Sequence, residues 1–204
     1  MAYIYYVILE KGNYTLLTIG ATGWCTFSDA RNIIDFTDLN GVVEAYTVIG
    51  HSGNAITKSD VDATAPINTG LLLNAVAGTY ALPFATSSST DVSANLLKPG
   101  TGEAVSAEVD KTKYVLAASG EPAVATFLRI DGTPATVPVG KAYLEFNEEI
   151  SLAPASLRIV DEESGATNIE KVESAEEVVK YFENGKLLIM RAGIVYDALG
   201  RVVR

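Results

Sequence analysis

Two side chains of the types that commonly act as a nucleophile or a base occur once each in the sequence, His51 and Cys25. His51 lies in Gly50-His-Ser-Gly-Asn54, a composition typical of a turn, and we expect an exposed turn residue rather than a catalytic base. Cys25 lies between Trp24 and Thr26, where we expect a buried structural thiol. A single cysteine cannot form an internal disulfide. A zinc site built on one histidine and one cysteine would need two carboxylates to complete its four ligands, so we do not expect one.

Carboxylate pairs are the next groups able to do acid–base chemistry. Pairs that lie close in sequence are Asp35/Asp38, Asp60/Asp62 and Glu148/Glu149. A glycan-active enzyme needs two carboxylates facing each other across a cleft, and nothing in the sequence favours any of these pairs over a solvated surface position. The stretch Asp35–Gly41 approaches a calcium-loop pattern, but Phe36 stands where that pattern needs Asp. We therefore predict no catalytic residue, no metal and no cofactor, and a weak calcium site in the Asp35–Gly41 loop stays open as the alternative.

Aromatic rings offer a third kind of chemistry, because a ring exposed on a sheet can stack on a sugar. Tyrosine is abundant, with ten residues, and the ligand-contact candidates are Tyr3, Tyr5 and Trp24. The competing interpretation is that most of these rings pack in the core or against neighbours on adjacent strands. The sequence favours the packing role and leaves a carbohydrate-binding face open as the alternative.

Composition limits the class of partner. The chain has 204 residues, a formal net charge of −10 and a pI of about 4.6, so a phosphate backbone or an anionic membrane surface would be repelled. We predict no nucleic-acid partner. No apolar run approaches the roughly 18 residues of a spanning helix, which predicts no membrane insertion. The first residues read as a strand without the basic and cleavage regions of a signal peptide, so we expect a signal peptide or upstream domains to be missing from this chain.

The elements that must position these residues are short strands. Apolar runs separated by turn residues at spacings of roughly 8–12 residues predict an all-β fold, an antiparallel β-sandwich or partly closed barrel, over residues 1–160. Residues 3–9 and 14–19 predict a hairpin. Two similar stretches, beginning at Pro66 and Pro138, each predict a rigid turn that leads into a core strand. Leu71-Leu-Leu73 does not alternate, so we expect this strand to be covered on both faces.

Composition changes after the main domain. Residues 161–177 are acidic and polar at their start, which predicts a linker, and residues 178–204 predict a small C-terminal β-meander with a hairpin turn at Asn184-Gly185. A capping-box pattern at Ser174–Glu177 would instead start a short helix over residues 176–182. We favour a strand, because Val178-Val-Lys-Tyr-Phe182 is rich in β-forming residues.

Several ordered blocks carry a resemblance to a known family. They are Gly23–Phe27, Ala65–Pro83, Val92–Leu97, Tyr114–Leu116 and Val137–Glu145. Together they resemble a β module found near the C-termini of large secreted or surface proteins of Bacteroidetes bacteria, where it often follows leucine-rich repeats. The tail over residues 181–203 resembles, in part, a C-terminal β segment that serves in some such proteins as a sorting signal, and Tyr196–Arg201 resembles a single YD-repeat unit.

The resemblance implies an extracellular or cell-surface setting and carries no catalytic residues. The leading expectation is therefore a non-catalytic accessory or adhesion-type β module of a larger surface protein, with glycans or cell-surface proteins as partners. A carbohydrate-binding module that uses exposed aromatics is the alternative. A glycan-active enzyme with an Asp/Glu pair is the third and least favoured hypothesis.

Overall fold

The computed structural model describes residues 13–160 except residues 40 and 89, and the backbone of residues 179–183, 186–191 and 194–197. The chain divides into two compact units, Met1–Asp161 and Glu162–Arg204. Apart from one 3₁₀ turn at Thr37–Leu39, the secondary structure of the described ranges consists of strands, which confirms the predicted all-β class. Within the same ranges, no helix has the length and apolar character needed to cross a membrane.

The strands of the first unit follow the predicted succession of short apolar runs. In chain order they are β1 (Tyr14–Ile19), β2 (Trp24–Phe27), β3 (Ile33–Asp35), β4 (Glu44–Ser52), β5 (Ala55–Asp60), β6 (Thr64–Ala65), β7 (Leu71–Asn74), β8 (Gly78–Ala85), β9 (Leu97–Pro99), β10 (Ala104–Val105), β11 (Thr112–Ser119), β12 (Val124–Arg129), β13 (Ala135–Thr136), β14 (Ala142–Phe146) and β15 (Ser156–Arg158). The second unit contains β16 (Val179–Glu183), β17 (Lys186–Arg191) and β18 (Ile194–Asp197).

The strands of the first unit form a small sheet, a large sheet and a two-stranded ribbon. The small sheet has the order β1-β8-β3-β6, and the large one has the order β2-β7-β4-β5-β15-β12-β11-β14-β9. β10 and β13 form the ribbon. The large sheet is mixed, because β5 and β15 run parallel and share one registered pair, Ala55 with Arg158. The other registered strand pairs are antiparallel, as the sequence predicts.

The large sheet curls until its two ends nearly meet, which gives a partly closed barrel. β2 approaches the start of β14 through three hydrogen bonds: the Ser28 amide donates to the Gly140 carbonyl (3.1 Å), the Ser28 hydroxyl donates to the Lys141 carbonyl (2.8 Å), and the Ala142 amide donates to Thr26 Oγ1 (3.2 Å). Two of these three bonds use side-chain oxygens, so this closure is not a regular ladder.

Two apolar cores result, and β7 separates them. Side chains of the small sheet pack against β2, β4 and β7 in the first core, which includes Leu71 and Leu73. The second core fills the curled sheet and includes Leu72, Tyr114 and Phe127, each fully buried. The prediction that Leu71–Leu73 is covered on both faces is confirmed, since successive side chains of a strand point to opposite sides.

The two proline stretches have a shared backbone feature. The third residue of each, Asn68 and Gly140, has a left-handed φ of 58° and 86°. In the second stretch the Lys141 amide donates to the Pro138 carbonyl (3.1 Å), which closes a tight turn. Asparagine and glycine are the residues that adopt this conformation most readily. The predicted pair of turns is therefore confirmed, and they deliver β7 and β14 into the cores.

The second unit is a three-stranded antiparallel meander with the order β16-β17-β18. Val179 pairs with Met190 and Glu183 with Lys186, so the Asn-Gly pair lies between two registered strands. This confirms the predicted meander and the choice of strand over helix at residues 179–182. The predicted linker over residues 161–177 and the last part of the tail lie outside the described residues.

Candidate ligand-binding cleft at Trp24

Trp24 is the first residue of β2, an edge strand of the large sheet, and its side chain is half-buried. Its ring and that of Tyr46 are 5.8 Å apart between centroids and inclined at 39°. The Lys58 ammonium lies over both rings, 4.8 Å from the Trp24 centroid and 4.4 Å from the Tyr46 centroid. A cation at this distance is attracted to the negative face of an aromatic ring. The Tyr46 hydroxyl donates to Glu44 Oε2 at 2.7 Å, which orients the tyrosine further.

Strand register explains how residues distant in sequence form this group. Trp24 on β2 pairs with Asn74 on β7, and Asn74 pairs with Glu44 on β4. Tyr46 follows two residues after Glu44, so it points to the same face of the sheet. Val48, two residues further along β4, pairs with Lys58 on β5. The group therefore spans the face of four neighbouring strands.

A cleft of about 380 Å³ opens on Trp24. Its walls come from β2, from the second half of β11, and from the turn that precedes β14; the lining side chains include Trp24, Thr26, Leu116, Ala118, Pro138 and Lys141. Neither Tyr46 nor Lys58 lines the cleft, so the contacts that hold the indole leave the cleft side of Trp24 available. The volume falls in the range of small-ligand sites.

The cleft exists because β14 leaves β11. Registered pairs run from Thr112–Phe146 to Tyr114–Leu144 and then stop, while β11 continues to Ser119. In a continued ladder the Ala142 amide would face β11; instead it donates to the hydroxyl of Thr26. Thr26 is 5% exposed, so this hydroxyl is a buried acceptor. The Thr26 hydroxyl, together with the two hydrogen bonds of Ser28, thus holds the start of β14 near β2 and away from β11.

The electrostatic character of the cleft comes from one side chain, since Lys141 is the only charged residue among the described residues that line it. The adjacent thiol of Cys25 is 8% exposed, which confirms the predicted buried cysteine. Burial raises the pKa of the Cys25 thiol, and the positive charge of Lys141 opposes that rise in part. Cys25 is therefore a neutral packing residue rather than a thiolate nucleophile.

The three aromatic candidates have different outcomes. Trp24 lies at the cleft, whereas Tyr3 and Tyr5 lie outside the described residues. Sequence inspection missed Tyr46 and Lys58 as partners of Trp24, and it missed Thr26 as the residue that opens the cleft. Alternation along β4 was the available signal for Tyr46. The approach of β14 to Thr26 had no local signal, because more than a hundred residues separate the two groups.

His51 is not the exposed turn residue that its glycine- and serine-rich surroundings suggest. It belongs to β4, and its side chain is 17% exposed. Nδ1 lies 2.9 Å from the carbonyl oxygen of Gly53, Nε2 lies 3.2 Å from each carboxylate oxygen of Glu148, and the ring packs edge-on against Phe146 with centroids 4.9 Å apart. Both ring nitrogens thus face acceptors. His51 joins the β4–β5 hairpin to the segment after β14, which is a structural role.

Acidic side chains gather at two other places. Glu44, Asp60 and Asp62 line a separate cleft of about 220 Å³, and among the described residues no group of three or more potential metal ligands has the geometry to hold an ion. Lys113, whose side chain is 7% exposed, pairs with Glu108 and lies 3.9 Å from Glu145. The hydrogen bond from Lys113 lowers the pKa of Glu108. These contacts form a charge network on the outer face of β11.

Comparisons with known proteins give no relative for this chain. No protein-family model matches it, and neither the curated proteins nor the solved structures contain a significant match. The function must therefore be argued from the cleft and its surroundings.

Proposed function

We propose that this chain is a non-catalytic accessory or adhesion-type module of a larger extracellular or cell-surface protein, and that it holds a partner at the Trp24 cleft. The observation that carries the proposal is the preformed opening between β2 and β11, held by the buried bond from Ala142 to Thr26. A site built from strand backbone is rigid before a ligand arrives, so little ordering entropy opposes binding. The resemblance to β modules of Bacteroidetes surface proteins supports the setting, and the partial resemblance of the tail to a sorting-type β segment fits the same setting.

The lining of the cleft favours binding over catalysis. Its described residues supply an indole, threonine hydroxyls, aliphatic side chains, the buried Cys25 thiol with its raised pKa and one ammonium group, without a carboxylate or an imidazole among them. General acid–base chemistry needs a titratable group within hydrogen-bond reach of the reacting atom. Apolar walls with a few polar groups are the usual composition of a recognition site.

An adhesion assay tests the proposal. Beads coated with the full chain should adhere to surfaces that carry extracellular glycans or proteins, and Trp24→Ala should reduce adhesion. Leu152→Ala is the matched control, because Leu152 is a large apolar side chain, 80% exposed, that does not line the cleft. Equal adhesion by wild type and Trp24→Ala would refute the assignment of binding to this cleft.

Carbohydrate binding is the second candidate, and the ring of Trp24 is the observation that favours it. An indole with one open side can stack on a sugar ring, and Thr22 and Thr26 place hydroxyls in the same cleft. On a glycan array, binding by wild type that Trp24→Ala abolishes would support this candidate. An array on which the full chain binds no glycan would remove it and leave a protein partner.

A further inference from the structure

We propose that the edge of β11 from Val115 to Ser119, which no described strand covers, accepts an extended polypeptide strand from a partner protein. This inference rests on the proposed function, because it names the class of partner that the Trp24 cleft takes. A bound strand would form hydrogen bonds with the backbone of the cleft wall, whereas a bound sugar would stack on the indole of Trp24.

The direction of the backbone groups along β11 follows from one hydrogen bond. The Ile130 amide donates to the Lys113 carbonyl at 2.8 Å, so the backbone groups of Lys113 point toward β12. In an antiparallel ladder, the N–H and C=O of one residue point to the same neighbour, and successive residues alternate between the two sides. The β11–β12 register is unbroken from Tyr114 to Ser119. The groups of Leu116 and Ala118 therefore point away from β12, toward the cleft.

No described strand pairs with β11 on that side beyond Tyr114. The β14 ladder ends at the Tyr114–Leu144 pair, and the Ala142 amide, the next donor on β14, is bonded to Thr26. Two amides and two carbonyls, those of Leu116 and Ala118, thus form an edge beside an open cleft. Four groups at two-residue spacing match the hydrogen-bonding period of one further strand.

This edge lacks the features that usually protect a sheet edge. The stretch Val115-Leu-Ala-Ala118 contains no charged residue and no proline, and its register with β12 contains no bulge. Edge strands in folded proteins are commonly blunted by such charges, prolines or bulges, because a flat apolar edge pairs with other chains. The second half of β11 is therefore suited to accept a strand.

The chemistry of the cleft selects the occupant. A polypeptide in extended form supplies amides and carbonyls at the spacing of the β11 edge, which a sugar does not. Side chains of the incoming strand that face Trp24 and Leu116 meet apolar surface, so apolar residues suit those positions. Lys141 has no ion pair with another described residue and sits in the same cleft, so an acidic residue in the strand would be attracted to it. A second copy of this chain is disfavoured by its net charge of −10.

The experiment uses the full chain and a display library of random peptides of about eight residues, long enough for one strand. Ala118→Pro removes the amide that faces the cleft and leaves the β12 ladder, which uses the alternate residues, intact. Leu152→Ala is the control, since Leu152 is 80% exposed and does not line the cleft. We expect selected peptides to bind wild type and Leu152→Ala alike and Ala118→Pro about tenfold more weakly. No enrichment, or equal binding to Ala118→Pro, would overturn the proposal.

Amide hydrogen exchange identifies the mode of binding. In the free protein the amides of Leu116 and Ala118 should exchange faster than those of Val115 and Ala117, and a bound peptide should slow exchange at Leu116 and Ala118 alone. A peptide that binds without slowing exchange at these two amides would overturn strand pairing in favour of side-chain capture. Wild-type dimers that Ala118→Pro dissociates would overturn it in favour of a second copy.

The two proposals fail separately. Adhesion that depends on Trp24 but is unaffected by Ala118→Pro would leave the cleft as the binding site and remove the incoming strand. Peptide binding lost in Ala118→Pro, together with adhesion unchanged in Trp24→Ala, would keep β11 as a strand-accepting edge and remove adhesion from the Trp24 cleft.

Discussion

Replacement of Thr26 by valine should weaken the fold more than its small chemical change suggests. Valine keeps the shape and apolar packing of Thr26 but removes the oxygen that accepts the buried amide of Ala142. A buried donor left without a partner costs about 1–3 kcal/mol. A loss of about 2 kcal/mol would lower the Tm by roughly 4–8 °C for a chain of this size.

Urea unfolding provides the measurement. Trp24, the only tryptophan in the chain, lies two residues from Thr26 on the same strand, so its fluorescence reports on the surroundings of Thr26. The midpoint should fall with an unchanged m-value, which marks a loss of stability rather than a change in the unfolded state. Thr47→Val is the matched control, because the Thr47 hydroxyl donates to the Ser59 carbonyl at 3.3 Å and leaves no amide unpaired when removed. Thr47 is also 5% exposed, so the two sites are equally buried.

The comparison between the two valine variants decides the argument. Thr26→Val should lose clearly more free energy of unfolding than Thr47→Val, and Thr26→Ser, which keeps the hydroxyl, should lose less than Thr26→Val. If Thr26→Val is as stable as Thr47→Val, the Ala142 amide does not depend on Thr26, and the explanation given for the cleft is wrong.

Three further predictions test other parts of the fold. Gly100→Ala would place a Cβ about 2.7 Å from a backbone carbonyl of the turn before β14, so it should destabilise the protein, whereas Gly20→Ala has open space and should be near neutral in thermal melts. Burial raises the pKa of Tyr114 to about 12. The stability that this pKa difference gives the folded state is therefore fully present below about pH 10 and is lost as the pH rises toward 12. Tyr114→Phe should flatten this alkaline loss of stability in unfolding titrations. Pro66→Gly and Pro138→Gly should each lower the free energy of unfolding by roughly 0.4–1 kcal/mol, because glycine gives the unfolded chain more conformational freedom. Unchanged melting of both variants would contradict the structural role of the two prolines.

Much of the fold could be predicted from local patterns. The non-alternating Leu71–Leu73 run predicted a strand covered on both faces, and the Asn184-Gly185 pair predicted the β16–β17 hairpin, because both signals depend on side-chain period and turn chemistry within a few residues. The parallel contact of β5 with β15 was not predictable in this way. It rests on one registered pair, Ala55 with Arg158, about a hundred residues apart.

The cleft was predictable only in part. Trp24 was a candidate because of its residue type, but its partners come from strands that register brings together. The prediction for His51 was wrong. Its glycine- and serine-rich surroundings suggested a turn, but His51 pairs with Ile56 and β4 extends through it. The composition of a short segment shows which secondary structures it can adopt, whereas pairing with strands distant in sequence decides where a strand ends.

The position of β7 between the two cores has a consequence for unfolding. Leu71 and Leu73 contribute to one core and Leu72 to the other, and all three are 0–1% exposed. Displacement of β7 would open both cores at once, because the same four residues form a wall of each. The two cores should therefore melt in one cooperative transition, as a single folding unit.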